Sequence, residues 1–328
     1  MFCNFEFYGK IICLKSSNKL ALQKIKQFWR AFCCNRSPKS PDVVFEISKF
    51  PQSQFRLFKN QYFSNPEFLF ILDRQSLITC YFSQKPWHVY IQYFDKTVNP
   101  DLQSDHLAFG VFSLILRSVL KRLGFFQLHS AAVTNEKYGI LIPGTMGSGK
   151  TTTALMMLKE NFKLVADDQV FLKKNSSSIE VLGFARDLFV TKKTISFFPE
   201  LSSLKYASLI RKGKRLKKVM SQKQFLKFFQ NRMAQKTKVN YIFFPRLSKN
   251  AKTKIQRISK LNALAQLLNV ESQERYRILI KDDFSLRAQL EIFSDLCEKA
   301  KSYDLLIARN DRNVAKHILK TIAAENRR

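Results

Sequence analysis

Eight consecutive residues have the types and spacing of a loop that holds the phosphates of a nucleotide. They are, in order, Gly144, Thr145, Met146, Gly147, Ser148, Gly149, Lys150 and Thr151, which satisfies the pattern G-x-x-x-x-G-K-[ST]. Glycine has no Cβ, so successive backbone N–H groups can curve around an anion. The lysine can reach the β- and γ-phosphates, and the threonine hydroxyl can bind Mg²⁺. We therefore predict a site for Mg²⁺ and a nucleoside triphosphate, ATP, with GTP as an open alternative.

Two adjacent aspartates are the best candidates for further chemistry. Asp167 and Asp168 lie within an apolar stretch, 162–172, which is predicted to be the strand after the loop helix. If that strand returns beside the loop, both carboxylates lie near the terminal phosphate. Adjacent residues on a strand point in opposite directions. One carboxylate can then hold Mg²⁺ while the other accepts the proton of a hydroxyl.

His129 is a third candidate, on a strand predicted over 125–133. If this strand forms a hairpin with the strand that enters the loop, the imidazole can hydrogen-bond a phosphate or orient an acidic partner. A histidine with a purely structural role is an equally good interpretation of the same residue.

The elements that must position these residues can be predicted from apolar periodicity. Residues 138–143 are typical of a short buried strand and 152–159 of a helix, so the loop lies between a strand and a helix N-terminus. Other predicted strands cover 5–14, 68–72, 77–82, 88–94, 179–184, 241–244 and 303–308, and other predicted helices cover 19–32, 105–123, 216–233, 261–268, 286–300 and 311–324, the last capped by Asp311.

The domain organisation follows from the same pattern. We expect a small α/β module of unassigned role over 1–104 and a nucleotide-binding catalytic domain over 105–328. No apolar window is long enough to span a bilayer, no secretory signal is evident, and the six cysteines form no C-x-x-C pair. The sequence predicts a cytoplasmic protein and is compatible with an oligomer.

The net charge of +31 is concentrated in one region. Residues 205–260, called the basic segment below, contain 18 lysines and arginines and no aspartate or glutamate. Such a segment attracts polyanions or acidic protein surfaces. A general compositional bias toward lysine explains the charge equally well.

Taken together, His129, the loop from Gly144 and the sequence Leu-Val-Ala-Asp-Asp at 164–168 resemble the C-terminal domain of the HPr kinase/phosphorylase family and its shorter bacterial relatives. The resemblance is clearest over about 125–172 and looser over most of 105–328. It implies an α/β (α+β) P-loop kinase domain with the nucleotide fold of phosphoenolpyruvate carboxykinase. It also implies that Asp168 is the acid/base that activates a serine hydroxyl, that His129 and Lys150 are active-site groups, and that Thr151 binds Mg²⁺. Asp167 is assigned to the metal from its position alone.

The chain also departs from that family. The family signature Glu-[hydrophobic]-Arg-Gly-[hydrophobic]-Gly, whose Glu binds Mg²⁺, has no equivalent at 179–186, where the Arg-Gly pair is broken. The resemblance therefore favours a serine kinase without extending to phosphorylase activity or to HPr as the substrate. Arg186 and either Lys192 or Lys193 are weaker candidates for a cation beside the transferred phosphoryl group.

Two functional hypotheses remain. In the first, the γ-phosphoryl group of ATP moves to a serine of an acidic protein or peptide that the basic segment docks. In the second, the chain is a P-loop ATPase, or an inactive nucleotide-binding protein, that binds a polyanion such as nucleic acid through that segment. The second is less favoured because the phenylalanines of the segment have the spacing of a helical core rather than of a stacking surface.

Overall fold

The computed structural model describes residues 1–34, 40–50, 61–72, 76–93, 99–184, 186–207, 209–212, 215–248, 252–272 and 283–327. Its described residues form two compact units. The first contains those of 1–123 and 283–288, and the second those of 124–272 and 289–327. Within the described part of the chain, no helix is both long and apolar enough to cross a membrane.

The first unit is built on a mixed eight-stranded sheet with the order β3-β1-β2-β4-β8-β7-β6-β5. Its strands are β1 (Phe2–Phe7), β2 (Lys10–Ser16), β3 (Cys33–Cys34), β4 (Val43–Lys49), β5 (Gln61–Ser64), β6 (Phe68–Leu72), β7 (Ser76–Tyr81) and β8 (Trp87–Tyr93). Its helices are α1 (Lys19–Phe28), α2 (Pro100–Asp105) and α3 (Ser113–Arg122), with a π-helical turn at His106–Phe112 between the last two.

Side chains alternate between the two faces of this sheet. Phe5, Leu14, Phe45 and Val89 are buried on one face, as strand periodicity requires. The helical run packs on that face, where the Phe112 ring lies 5.1 Å from the ring of Phe45.

Several predictions for this unit need revision. The strand predicted over 5–14 is a hairpin, because Tyr8 and Gly9 both adopt positive φ and turn the chain between β1 and β2. The predicted helix 19–32 ends at Phe28 and is followed by a 3₁₀ turn. The strands predicted over 68–72 and 77–82 are present as β6 and β7 and pair antiparallel as a hairpin, whose turn residues 73–75 lie outside the described residues.

The division of the chain also differs from the expected one at 104/105. The helical run 100–122 belongs to the first unit, because its apolar face covers the first sheet, and the second unit begins at Gly124. Gly124 ends the run in the left-handed conformation, with φ of +84°.

The second unit contains three sheets. A six-stranded sheet has the order β12-β10-β11-β19-β21-β20, a four-stranded sheet the order β18-β14-β13-β9, and a three-stranded sheet the order β15-β17-β16. The strands are β9 (Phe125–Leu128), β10 (Ser130–Thr134), β11 (Gly139–Pro143), β12 (Lys163–Ala166), β13 (Val170–Lys174), β14 (Ile179–Gly183), β15 (Leu188–Val190), β16 (Leu209–Lys212), β17 (Arg215–Met220), β18 (Lys236–Lys238), β19 (Tyr241–Ser248), β20 (Lys254–Arg257) and β21 (Lys301–Ala308).

The remaining helices are α4 (Lys150–Lys159), α5 (Lys192–Ser196), α6 (Gln222–Phe228), α7 (Lys260–Ser272), α8 (Asp283–Lys299) and α9 (Val314–Glu325). Residues of α4 and α9, including Leu155 and Ile318, are buried in one core with Ile142 of β11 and Phe243 of β19. The protein is therefore of the mixed α/β class, as predicted.

Two long predicted strands are each divided between sheets. The strand expected over 125–133 stops at His129, so that β9 belongs to the four-stranded sheet and β10 to the six-stranded sheet. The strand expected over 162–172 is interrupted in the same way at 167–169, between β12 and β13. Both predictions failed because an apolar run does not show where a strand changes partners.

The helix predicted over 216–233 is also wrong at its start. Residues 215–220 pair antiparallel with β15 and β16, and the helix begins only at Gln222. Ser221 and Gln224 form a reciprocal capping box that fixes this start. The last predicted helix begins at Val314, where Asn313 rather than Asp311 occupies the N-cap position. The other strands and helices predicted in this unit are present with shifted ends.

Candidate functional site

The glycine-rich loop lies where β11 ends and α4 begins. β11 is central in its sheet, antiparallel to β10 and parallel to β19. Gly149 has φ of +112°, a conformation that strains any other residue. A Cβ at this position would lie 3.4 Å from Ile307 Cδ1 and 3.5 Å from Leu247 Cδ2. The loop therefore lies over the carboxyl ends of the parallel strands β19 and β21, where α/β sheets usually bind ligands.

Lys150 is buried, with only 6% of its surface exposed. Its Nζ donates hydrogen bonds to the backbone oxygens of Gly144, at 2.7 Å, and Thr145, at 3.0 Å. It also lies 2.9 Å from Nε2 of His129. The loop thus folds back around its own lysine, and the ammonium group is held at the centre of the loop.

The contacts of His129 define its tautomer. The Lys150 ammonium can only donate, so Nε2 of His129 must accept, and the proton of the neutral ring is on Nδ1. Nδ1 lies 2.7 Å from the backbone oxygen of Asp168, to which it therefore donates. The imidazole links the lysine of the loop to the aspartate turn. The hairpin expected between its strand and the loop strand is present, since β10 pairs with β11.

Thr151 and Asp167 form the second link between the loop and this turn. The Thr151 hydroxyl lies 3.0 Å and 2.9 Å from the two carboxylate oxygens of Asp167. Asp167 is 8% exposed, and this burial raises its pKa to about 6, with the charge of Asp168 acting in the same direction. Lys150 and the Thr151 hydroxyl oppose the rise. The Thr151 hydroxyl and the Asp167 carboxylate therefore lie side by side next to the loop.

Asp168 lies in a tight turn and not within a strand, which corrects the expectation that the two aspartates alternate along one strand. Its φ is +73°, and Gln169 N donates to the Asp167 backbone oxygen at 2.9 Å. The Asp168 side chain is 27% exposed, and its Oδ1 lies 3.5 Å from His129 Nδ1. The turn leaves one carboxylate buried against Thr151 and the other partly open to solvent.

The remaining loop residues have separate environments. Met146 is exposed. Ser148 Oγ is buried and has no hydrogen-bond partner within the described residues. A Cβ on Gly144 would come within 2.6 Å of this oxygen, so a larger residue at 144 would displace the Ser148 hydroxyl. An unpartnered buried hydroxyl in a glycine loop suits a phosphate oxygen.

The basic segment contributes one residue that sequence reasoning missed. Burial raises the pKa of Asp167, and the positive charge of Lys217 on β17 opposes part of this rise. The sequence assigned this lysine to a helix, so its proximity was not foreseen. Of the weaker candidates, Arg186 lies over the ring of Phe184, and Lys193 donates to Asn310 Oδ1.

The residues present fit Mg²⁺ and a nucleotide. Among the described side chains there is no group of three or more histidines, cysteines, aspartates and glutamates that could hold a metal. Thr151 and Asp167 offer oxygen ligands of the kind Mg²⁺ prefers when substrate phosphates and water supply the rest. The glycines at 147 and 149 have positive φ and lie directly before α4. The N-terminus of a helix favours the binding of an anion.

Comparisons with known proteins show similarity to solved structures and not to protein families or curated sequences. No protein-family model matches the chain, and no curated protein matches it in sequence. Among solved structures, it is similar to the HPr(Ser) kinase/phosphatase from Coxiella burnetii, with 13% sequence identity and a TM-score of 0.31. The similarity covers 61% of this chain and 90% of that chain. The assignment to the mixed α/β class rests on the strands and helices described above.

Proposed function

We propose that this chain is a kinase that transfers the γ-phosphoryl group of ATP to a hydroxyl, that of a serine in a protein or peptide. The observation that carries the proposal is the convergence of two links on one glycine loop. Lys150 contacts His129, which contacts Asp168, and Thr151 contacts Asp167. Phosphoryl transfer depends chiefly on positioning and on charge neutralisation, and these groups can supply both.

The loop and Lys150 bind the phosphates. Backbone N–H groups of the loop and the N-terminus of α4 offer donors, and Ser148 Oγ adds a hydroxyl without a described partner. The Lys150 ammonium exchanges contacts with the loop carbonyls for contacts with phosphate oxygens. Thr151 and Asp167 are the residues that would hold Mg²⁺, and the metal would neutralise charge on the phosphates.

Asp168 is the proposed base. Its carboxylate is more exposed than that of Asp167 and can reach an incoming hydroxyl. His129 acts as a positioning residue, since its Nδ1–H holds the backbone of Asp168 while its Nε2 holds Lys150. Because the ring is neutral in this arrangement, Lys150 and not His129 supplies the positive charge at the phosphates.

The acceptor is inferred to be acidic. The basic segment carries 18 positive charges and no carboxylate, and its residue Lys217 lies close enough to Asp167 to influence its charge. An acidic peptide that approaches this segment would bring its serine toward Asp168. The broken Arg-Gly sequence at 179–186 gives no reason to propose phosphorylase activity.

The test is transfer of labelled phosphate from γ-labelled ATP to dephosphorylated casein, an acidic serine-rich protein. We expect phosphoserine with the wild type, a loss of at least about 100-fold with Asp168→Asn, and nucleotide affinity within about twofold of wild type in that variant. Asp304→Asn, on β21, is the matched control and should transfer normally. Normal transfer by Asp168→Asn would remove Asp168 as the base.

The same preparation tests the alternative of a polyanion-binding ATPase. That hypothesis predicts ATP hydrolysis without transfer, together with DNA binding whose affinity falls steeply as salt concentration rises. A flat salt response would exclude it.

A further inference from the structure

Three cations form a cluster beside the glycine loop that the proposed transfer chemistry does not use. They are Lys193 of α5, together with Arg309 and Arg312, which lie between β21 and α9. Lys193 Nζ and Arg312 Cζ lie 5.8 Å and 5.5 Å from the ring centroid of Phe197. Lys193 Nζ also donates to Asn310 Oδ1 at 3.0 Å. We call these three residues the cation cluster.

Both chain segments that carry the cluster touch the loop or its helix. Thr194 Oγ1, next to Lys193, lies 2.8 Å from Oγ1 of Thr152 in the first turn of α4. Ile307, near the end of β21 and two residues before Arg309, provides the closest side-chain atom to a Cβ placed on Gly149. The cluster is therefore adjacent to the phosphate loop.

The charges of the cluster are not neutralised within the described part of the chain. The neighbouring carboxylate, that of Asp311, contacts His317 Nε2 at 3.3 Å and accepts from Asn313 N at 2.7 Å. Burial, followed by the charge of Arg309, lowers the pKa of Lys193, as expected when cations are held together. A bound anion would relieve this repulsion.

The first turn of α4 shows which end of a nucleotide would face the cluster. Successive helical residues point about 100° apart, and the three side chains diverge accordingly. Lys150 points to His129 and Thr151 points to Asp167, which marks the end of the terminal phosphate. Thr152 points to Thr194 and thus toward the cluster.

We propose that the cation cluster binds the nucleoside end of the nucleotide, namely its α-phosphate and its base. Lys193 and Arg309 offer charge to the α-phosphate. Arg312 and the Phe197 ring offer flat surfaces on which a base can stack. The inference rests on the proposed nucleotide site and adds to it a means of distinguishing a nucleotide from an inorganic polyphosphate.

The test compares ADP with inorganic pyrophosphate, binding of each to the full chain being measured by isothermal titration calorimetry. Both ligands can occupy the loop, and only ADP has a nucleoside end. We expect Arg312→Ala, which acts on the base, to weaken ADP binding about fivefold or more and pyrophosphate binding less than twofold. Arg309→Ala should weaken both ligands, because pyrophosphate also places a phosphate at the position of the α-phosphate. Lys320→Ala removes an exposed charge from α9 and should change neither affinity.

Each other outcome is decisive. For Arg312→Ala, an equal loss for both ligands, or no loss for either, would overturn the inference, because the cluster would then act as a general positive field or not at all. If Lys150→Ala abolishes both affinities while the arginine variants leave them unchanged, the inference fails and the nucleotide site stands. If the wild type binds neither ligand, both proposals fail.

Arg312→Lys keeps the charge but loses the planar group. This variant should weaken ADP binding almost as much as Arg312→Ala.

Discussion

Replacement of Asp167 by asparagine is expected to stabilise the protein, although it removes a proposed metal ligand. Burial of this carboxylate, and then the charge of Asp168, raises its pKa from the ordinary 3.8 to about 6. The folded protein thus holds the Asp167 proton more tightly than the unfolded chain does. Stability from this group is complete below pH 3.8 and is lost as the pH rises through about 6.

The magnitude follows from the gap between the two pKa values. One pKa unit corresponds to about 1.4 kcal/mol, so the ionised carboxylate costs the fold about 3 kcal/mol at pH 7. The pKa of about 6 already includes the attraction of Lys150, so about 3 kcal/mol is the upper limit of the gain. Asparagine keeps an oxygen that can accept from Thr151, but its amide nitrogen replaces the second acceptor, which reduces the gain. We therefore expect Asp167→Asn to raise the free energy of unfolding by about 1 to 3 kcal/mol at pH 7.5 and to leave it nearly unchanged at pH 4.

Urea denaturation of both proteins, in EDTA at each pH, measures this difference. Asp304→Asn is the control, because Asp304 pairs with Arg246 at 2.9 Å and its side chain is partly exposed. That variant should be neutral or slightly less stable at pH 7.5. A destabilised Asp167→Asn at pH 7.5, or a gain of the same size at both pH values, would refute the reasoning.

Variants at three further positions test the loop and its contacts. Gly149→Ala, at φ of +112°, should weaken ATP binding at least about tenfold in calorimetry, and unchanged affinity would contradict the proposed loop geometry. Thr151→Val should lose Mg²⁺-dependent tightening of ATP binding while Thr151→Ser keeps it, and equal behaviour would exclude the hydroxyl as a ligand. His129→Gln should lower kcat for transfer by about tenfold or more with KM for ATP within twofold, whereas a change in KM alone would indicate a binding role.

The glycine loop could be predicted from sequence because its determinants are local. The glycines at 147 and 149, the lysine and the flanking strand and helix all lie within a short stretch of chain. The approach of His129 to the loop was also accessible, since a hairpin between neighbouring strands needs only a short turn.

The arrangement of the aspartates was not accessible in the same way. It depends on β12 and β13 joining different sheets, and on Asp168 taking a left-handed conformation at the crossing point. Which sheet a strand joins depends on strands that are distant in sequence, so it cannot be predicted from an apolar run alone. Lys217 was missed for a related reason. The spacing of apolar residues and lysines around it fits either a helix or a strand, and only pairing with β16 makes this segment a strand.

Calorimetric titration of ATP, with and without Mg²⁺, tests most directly whether the loop, Thr151 and Asp167 hold one metal-bound terminal phosphate. For the wild type, Mg²⁺ should tighten ATP binding by about tenfold or more. For Asp167→Asn the effect of Mg²⁺ should disappear while metal-free ATP still binds, and for Lys150→Ala binding should be lost in both conditions. Undiminished affinity in Lys150→Ala, or full tightening by Mg²⁺ in Asp167→Asn, would contradict the account.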